Sequence, residues 1–429
     1  MKSFINQLHS HFASPLPYQK ITEEALSEAR TMFESTEEVS AYNQLKVLNA
    51  FQNNKASDFH LHGSTGYGYG DTGRDVLEDI FNDIFKAEKS LVRSNLVSGT
   101  HALATVLFGI LRPGDHVLSI SGQPYDTLLK VIGKNKEAGT LDELMIRYDV
   151  IDLDDSGNFK TEEIANYLEN NPCKMICIQR SRGYSLRTSI SIDKLEQISS
   201  FIKNISPDCI VFVDNCYGEF VENSEPLEAG ADIIAGSLIK NPGGGLAIRG
   251  GYICGKESLV TLASHRLTAP GIHQDVSSAL DFNRTVYQGL FMAPLIVEQA
   301  IKGAVFTSAL FENLGFSVLP SSKDHRTDIV QAIVLNSPEL LEIFCRGIQS
   351  GSPLDSYVRP AYGQLPGYAD PVIMAGGTFI QGSSIELSAD GPMREPYVAY
   401  MQGGLSFSHV LYAAIKTGLT IYNKKESVE

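Results

Sequence analysis

The sequence predicts an α/β fold, with a mostly parallel sheet in a large domain and a smaller α/β C-terminal domain after it. Short apolar runs alternate with amphipathic stretches from residue 116 to 254, the pattern of parallel strands with helices on both faces. A chain of 429 residues exceeds what one core usually serves. Several chemistry-bearing residues also fall just past apolar runs, and sheets of this kind bind ligands beyond the carboxyl ends of their strands.

Residues 20–50 are charged, with apolar positions at helical spacing (Ile21, Ala25, Ala29, Met32, Phe33), so the first 58 residues are expected to form a helical arm. From Phe59 the chain is dense in glycine and tyrosine. Gly68-Tyr69-Gly70-Asp71-Thr72-Gly73 matches the dinucleotide fingerprint, but that motif needs a buried strand before it, and 58–62 makes a poor one. His60 and His62 have no third ligand near in sequence and read as local hydrogen-bonding groups. Residues 75–89 are amphipathic and helical. Ser98-Gly99-Thr100 then enters the apolar helix 102–111, where it offers either a phosphate seat at a helix start or an ordinary cap.

Strands are expected at 116–120, 145–153, 175–179, 209–214, 233–237 and 251–254, with helices at 125–132, 162–168 and 192–202 between them. A long helix over 292–310 closes the large domain, 59–310. The smaller domain, 311–429, is expected to hold strands at 317–319, 329–334, 377–381 and 384–388, and a helix over 407–415 stopped by Gly418. Residues 351–376, with Tyr357, Tyr362 and Tyr368 among prolines and glycines, read as a loop near the site or an interface.

Composition excludes some classes of function. The formal net charge is −15 and no basic run occurs, which argues against nucleic acid and anionic membrane surfaces as partners. The six cysteines lie mostly in apolar runs and read as reduced core residues. The first 14 residues lack the pattern of an export signal, and no segment approaches a membrane span of about 20 apolar residues, so a cytoplasmic location is expected.

Asp214 and Lys240 carry the chemistry. One carboxylate and one amine at the ends of two buried strands suit pyridoxal phosphate: the lysine can form a Schiff base with the aldehyde, and the aspartate can keep the pyridine nitrogen protonated. The structural alternative is a turn cap and a solvated residue after a strand. Two other motifs compete. Asp152 to Glu163 matches a calcium loop, but a strand replaces the entering helix, and Asp-Ser-Gly-Asn also suits a turn. Ser237-Leu238-Ile239-Lys240 with Lys416-Thr417-Gly418 matches serine acyl hydrolases, but Pro242 and the glycines through Gly245 would break the helix such chemistry needs.

With Ser98-Gly99-Thr100, Tyr125, Asp214 and Ser237-Leu238-Ile239-Lys240 in this order, the chain resembles the cysteine and methionine metabolism family of pyridoxal-phosphate enzymes, which includes cystathionine lyases and methionine gamma-lyase. Gln179-Arg180-Ser181-Arg182-Gly183-Tyr184, Lys240-Asn241-Pro242-Gly243-Gly244-Gly245 and Leu267-Thr268-Ala269-Pro270-Gly271 look like the motifs of its aluminium resistance, or methionine gamma-lyase-like, members. The resemblance covers about residues 60–400 and implies the transferase-like fold type I. It makes Lys240 the Schiff-base lysine and Asp214 the partner of the pyridinium nitrogen. Ser98, Gly99, Thr100 and Ser237 would bind phosphate. Tyr125 would stack on the ring and assist proton transfer, and Tyr67 would reach a neighbouring subunit's phosphate in a homodimer or homotetramer.

The family's late-strand arginine, which grips the substrate carboxylate, is Glu386 here, leaving Arg180, Arg182 and Arg394 as its expected substitutes. The family's Glu-Ser-Pro-x-Asn-Pro stretch is also replaced, by Gln179 to Tyr184. The expected activity is a carbon–sulfur lyase acting on a sulfur-containing amino acid by β- or γ-elimination, with Lys240 kept neutral by a confined site that lowers its pKa. An aminotransferase and a catalytically idle pyridoxal-phosphate protein are the alternatives.

Overall fold

The computed structural model describes residues 2–133, 137–364 and 368–427. Helices α1 (Lys2–Phe12), α2 (Leu16–Ala29) and α3 (Phe33–Asn53) open the chain. There follow α4 (Thr72–Phe85), β1 (Lys89–Arg93), α5 (Gly99–Ile110), β2 (His116–Ser119), α6 (Asp126–Ile132), β3 (Arg147–Val150), α7 (Thr161–Asn170) and β4 (Cys173–Gln179). Next come α8 (Ile192–Ile205), β5 (Ile210–Asp214), β6 (Ile233–Ser237), β7 (Gly251–Gly255), α9 (Glu257–Leu267) and α10 (Phe282–Asn313). The chain divides into two compact units, Tyr42–Pro294 as one and Met1–Ala41 with Leu295–Glu429 as the other. These limits differ from the expected 58/59 and 310/311.

In the unit Tyr42–Pro294, seven strands form one sheet in the order β1-β7-β6-β5-β4-β2-β3. The run from β6 to β3 is parallel, and β7 pairs antiparallel with both β6 and β1. Every residue of β5, β6 and β7 is buried, as the continuous apolar runs require of strands covered on both faces. On one face α5 lays Leu103, Val106, Leu107 and Ile110 in a core with Phe212, Ile233, Ala235 and Ile253. Strand β1 is missing from the sequence expectation, which ran the preceding helix on to residue 89. Lys86 adopts the left-handed conformation at φ 56° and ends α4 early, which frees Lys89–Arg93 to pair with β7.

The glycines after Lys240 serve packing against a helix. A Cβ on Gly243 would lie 1.8 Å from the Leu238 carbonyl oxygen, and one on Gly289 in α10 would lie 2.1 Å from the Gly243 carbonyl oxygen. Helix α10 thus approaches the Lys240 turn backbone to backbone. It is also long and apolar enough to cross a membrane, at a mean hydropathy of 1.4, contrary to the expectation that no segment would be, but 67% of that window is buried within the protein.

The other unit holds β8 (Ser317–Leu319), β9 (Val330–Val334), α11 (Pro338–Ser350), β10 (Val372–Ala375), β11 (Ser388–Pro392), β12 (Val398–Gln402) and α12 (Phe407–Glu426). Its strands form an antiparallel sheet in the order β10-β11-β12-β9-β8. The first 41 residues belong to this unit as core: Tyr18 and Ala25 are fully buried, and the Tyr18 hydroxyl donates to the Ile415 carbonyl at 2.7 Å. Helix α12 runs on through Gly418, where the expected stop would lie, because a Cβ there would meet the Tyr18 hydroxyl at 2.6 Å. Gly418 makes room for a side chain in mid-helix and is not a cap. The expected strand 377–381 is a loop, and 384–388 gives way to β11. Glu386 explains both, since its buried carboxylate accepts the N–H groups of Phe379 at 2.8 Å and Ile380 at 2.9 Å.

Candidate active site

Strands β4, β5 and β6 end side by side, with Gln179 opposite Asp214 and Asp214 opposite Ala235. Ser237 is the last residue of β6, and the N-terminus of α5 comes up to it. A Cβ on Gly99 would lie 3.4 Å from Ser237 Cβ and 3.5 Å from Cys216 Sγ. Ser98 is the cap of α5: its hydroxyl accepts from the His101 N–H at 3.1 Å. The N–H groups of Gly99 and Thr100 then open a helix of 12 residues, an end at which unpaired donors and the helix dipole favour negative charge. Thr100 Oγ1 lies 2.9 Å from the Tyr125 hydroxyl and 3.1 Å from Thr127 Oγ1. The Tyr125 N–H donates to Gln179 Oε1 at 3.0 Å, and Gln179 Nε2 donates to the Ser181 carbonyl. Gln179, named from the sequence only as the start of a motif and given no role there, therefore ties the tyrosine to the strand end.

Asp214 is buried, and its Oδ1 accepts the Cys216 N–H at 3.1 Å. Burial pushes its carboxyl pKa up, and Lys240 pulls it back down. Burial pulls the Lys240 ammonium down, but Cys216, Tyr217, Asp214 and Tyr125 outweigh this and hold it well above the ordinary lysine value. This corrects the expected neutral lysine: confinement does act in that direction, and the facing acidic groups win. Lys240 Nζ lies 4.0 Å from the centroid of the Tyr217 ring, a contact that no local pattern announces. Burial drives the Tyr125 hydroxyl pKa up, so at neutral pH it is a proton donor.

The expected arginines separate. Arg180 is fully buried, with Nη1 bound to Asn215 Oδ1 and the Gly218 carbonyl, both at 2.9 Å, and Nη2 to Glu222 Oε2 at 2.5 Å. Its Nη1 is also 3.8 Å from Glu225 Oε2. Such a guanidinium anchors the interior and is not a substrate clamp. Arg182 is buried and donates to Ser189 Oγ at 3.1 Å, and Arg394 pairs with Asp370 at 3.1 Å. Tyr67 is 76% exposed beside Tyr69. Arg187, unnoticed in the sequence, donates to the carbonyls of Gln179 and Ser181 and helps to lower the Asp214 pKa.

Glu219 lies fully buried behind Lys240. Its Oε1 accepts from the Tyr252 hydroxyl at 2.6 Å, while Oε2 and the neighbouring Asn241 Oδ1 have no hydrogen-bond partner among the described residues. Burial raises its pKa from 4.5 to about 8. Below the unfolded value both states carry the proton. Between 4.5 and about 8 the unfolded chain releases a proton that the folded chain keeps, so this group's contribution to stability falls as pH rises through that window. Glu219→Gln should flatten the pH dependence of the urea midpoint across the window. Parallel curves for variant and parent would remove the neutral-acid assignment.

The competing motifs lack their geometry. Ser237 ends a strand, and only the short 3₁₀ turn Asn241–Gly243 follows Lys240, so no helix joins them as a hydrolase pair. Asp154 Oδ1 accepts the N–H groups of Ser156 and Asn158 in a plain turn after strand β3. A 3₁₀ turn, not a strand, precedes the Gly68–Gly73 stretch. His60 Nδ1 accepts the Ser57 N–H, and among the described residues no three His, Cys, Asp or Glu side chains gather to hold a metal.

The profile of the methionine gamma-lyase family matches residues 18–420. YnbB of Bacillus subtilis (strain 168) is 50% identical over 376 residues, 87% of this chain and 89% of that one. A Listeria monocytogenes structure, provisionally named a cystathionine beta-lyase involved in aluminum resistance, is 50% identical with a TM-score of 0.90 over 93% of this chain and 98% of its own. A Clostridium novyi structure, named a carbon-sulfur lyase involved in aluminum resistance, is 45% identical with a TM-score of 0.93 over 97% and 98%. The fold itself recurs at 15% identity in the pyridoxal-5'-phosphate dependent protein YhfS of Escherichia coli, with a TM-score of 0.60 over 90% and 97%, and is that of the fold type I pyridoxal-phosphate enzymes.

Proposed function

The chain belongs to the methionine gamma-lyase family, and on that premise we propose that it is a pyridoxal-phosphate-dependent carbon–sulfur lyase, acting on a sulfur-containing amino acid of the cystathionine or methionine type by β- or γ-elimination. The observation that carries the reading is one amine, Lys240, in the field of one buried carboxylate, Asp214, beside an open helix start at Gly99. That donor set fits the cofactor: N–H groups for a phosphate, an amine for an aldehyde, and a carboxylate for a protonated ring nitrogen. When bound, pyridoxal phosphate supplies an aldehyde that condenses with an amine and a ring that takes up the electrons left by a departing proton.

The chain's own residues supply the rest. The Gly99 and Thr100 N–H groups and the Ser237 hydroxyl would hold the phosphate, with Ser98 fixing the turn as its cap. Asp214 would keep the ring nitrogen protonated. Lys240 would hold the cofactor through its amine and would also serve as general base for the α-proton. Pairing Asp214 with a cationic nitrogen would remove one of the contributions that hold Lys240 protonated, which favours the base form of the amine. Tyr125, tied to Thr100, would lie against the ring, and its protonated hydroxyl would supply a proton to the departing sulfur. Arg182 and Arg394 are the residues that would carry the substrate carboxylate in this reading. Tyr67 reaches a neighbouring subunit's phosphate in a homo-oligomer, and a monomer with full cofactor occupancy would contradict that role.

Incubation with cystathionine or methionine should release ammonia and a 2-oxo acid with no amino acceptor present. An absolute need for an acceptor would make the protein an aminotransferase. Cofactor binding with no turnover on any amino acid would make it catalytically idle.

A further inference from the structure

Tyr217 stands at φ +72°, a backbone region costly for a bulky side chain and usually kept only where the surroundings enforce it. The enforcement is visible. Asn215 and Gly218 flank the Cys216-Tyr217 pair, the Gly218 N–H donates to the Asn215 carbonyl at 3.0 Å, and the buried Arg180 grips Asn215 Oδ1 and the Gly218 carbonyl from one nitrogen. On the other side the Cys216 N–H is fixed to Asp214. The turn therefore has little freedom, and it presents the Tyr217 ring face to Lys240 Nζ at 4.0 Å, well inside cation–π range.

We infer that Tyr217 is a positioning residue for Lys240: its ring face seats the free ammonium beside Asp214, and Arg180, through the 215–218 turn, holds the ring in place. The seat attracts a cation and has no comparable hold on a neutral amine, so loss of the proton releases Lys240 to move. The position of the amine is thereby coupled to its protonation. The inference rests on the lyase reading for the use of that amine, but its test needs neither cofactor nor substrate.

Competitive labelling of the full chain with acetic anhydride across pH, read by mass spectrometry at the Lys240 peptide, gives the apparent pKa of that amine. Tyr217→Phe keeps the ring. Tyr217→Asn removes it with a residue that tolerates the left-handed backbone. The Phe variant should titrate with the wild type, and the Asn variant about one pH unit lower. The pH at which added pyridoxal phosphate attaches at half its maximal rate should move with it. An Asn profile that superimposes on the wild type overturns the inference. So does a Phe variant that titrates as low as about one unit below the wild type, since the hydroxyl and not the ring face would then be responsible; this holds even if the Asn variant folds poorly. A wild type that attaches no pyridoxal phosphate yet shows the expected labelling pattern would remove the lyase reading and leave the positioning role standing.

Discussion

Arg180→Ala is expected to destabilise the protein by about 3–5 kcal/mol, read as a lowered urea midpoint with an unchanged slope. The guanidinium is fully buried and is held by Asn215, Gly218, Glu222 and the Ile190 carbonyl, with Glu225 close by. Removing it takes the facing positive charge away from two carboxylates. Glu225, entirely buried, already has its pKa pushed up by burial and is pulled back chiefly by Arg180. Arg180→Lys should recover only part of the loss, because one ammonium cannot reach a side-chain amide, a carbonyl and a carboxylate with the geometry of a planar fork. A change below about 1 kcal/mol in the Ala variant would show that the network is incidental to stability.

Arg180 also shows where sequence reasoning reaches its limit. An arginine one residue past a buried strand, in a chain lacking the family's usual arginine, reads as a substrate clamp. What takes it inside is a pair of acidic residues, Glu222 and Glu225, on a later turn, and no local pattern announces that meeting. Tyr217 is hidden for a related reason: its aim depends on a positive φ enforced by that same distant arginine. By contrast, the ends of β5 and β6 were legible, since a continuous apolar run followed by Asp214 or Ser237 leaves one plausible place for the strand to stop. The start of α5 was legible too, because Ser98 before an apolar helix is a cap on chemical grounds alone. Strand β1 was lost because its apolar residues continue the helical run before it, and only the left-handed Lys86 divides the two. In the other unit Glu386, standing where an arginine was sought, serves as a tie for the backbone at Phe379 and Ile380.

Lys240→Ala is expected to lower turnover by about 10³-fold or more, since the same amine carries the cofactor and acts as the base. The fold should survive. Lys240 is half-buried in a turn whose backbone is set by Pro242 and by the close approach of Gly243 to Gly289, so the loss should fall on activity and on the visible absorbance of bound cofactor, not on the melting temperature. An added small amine would be expected to restore part of the turnover by replacing the missing base. Unimpaired turnover in the variant would move both roles to another residue.

Lys240 is the residue proposed to hold pyridoxal phosphate. Borohydride reduction of the purified protein with pyridoxal phosphate, followed by digestion and mass spectrometry, tests that role most directly. The account predicts a pyridoxyl group on the peptide containing Lys240 and none there in Lys240→Ala; a group fixed reproducibly to a different lysine, or to none, would contradict it.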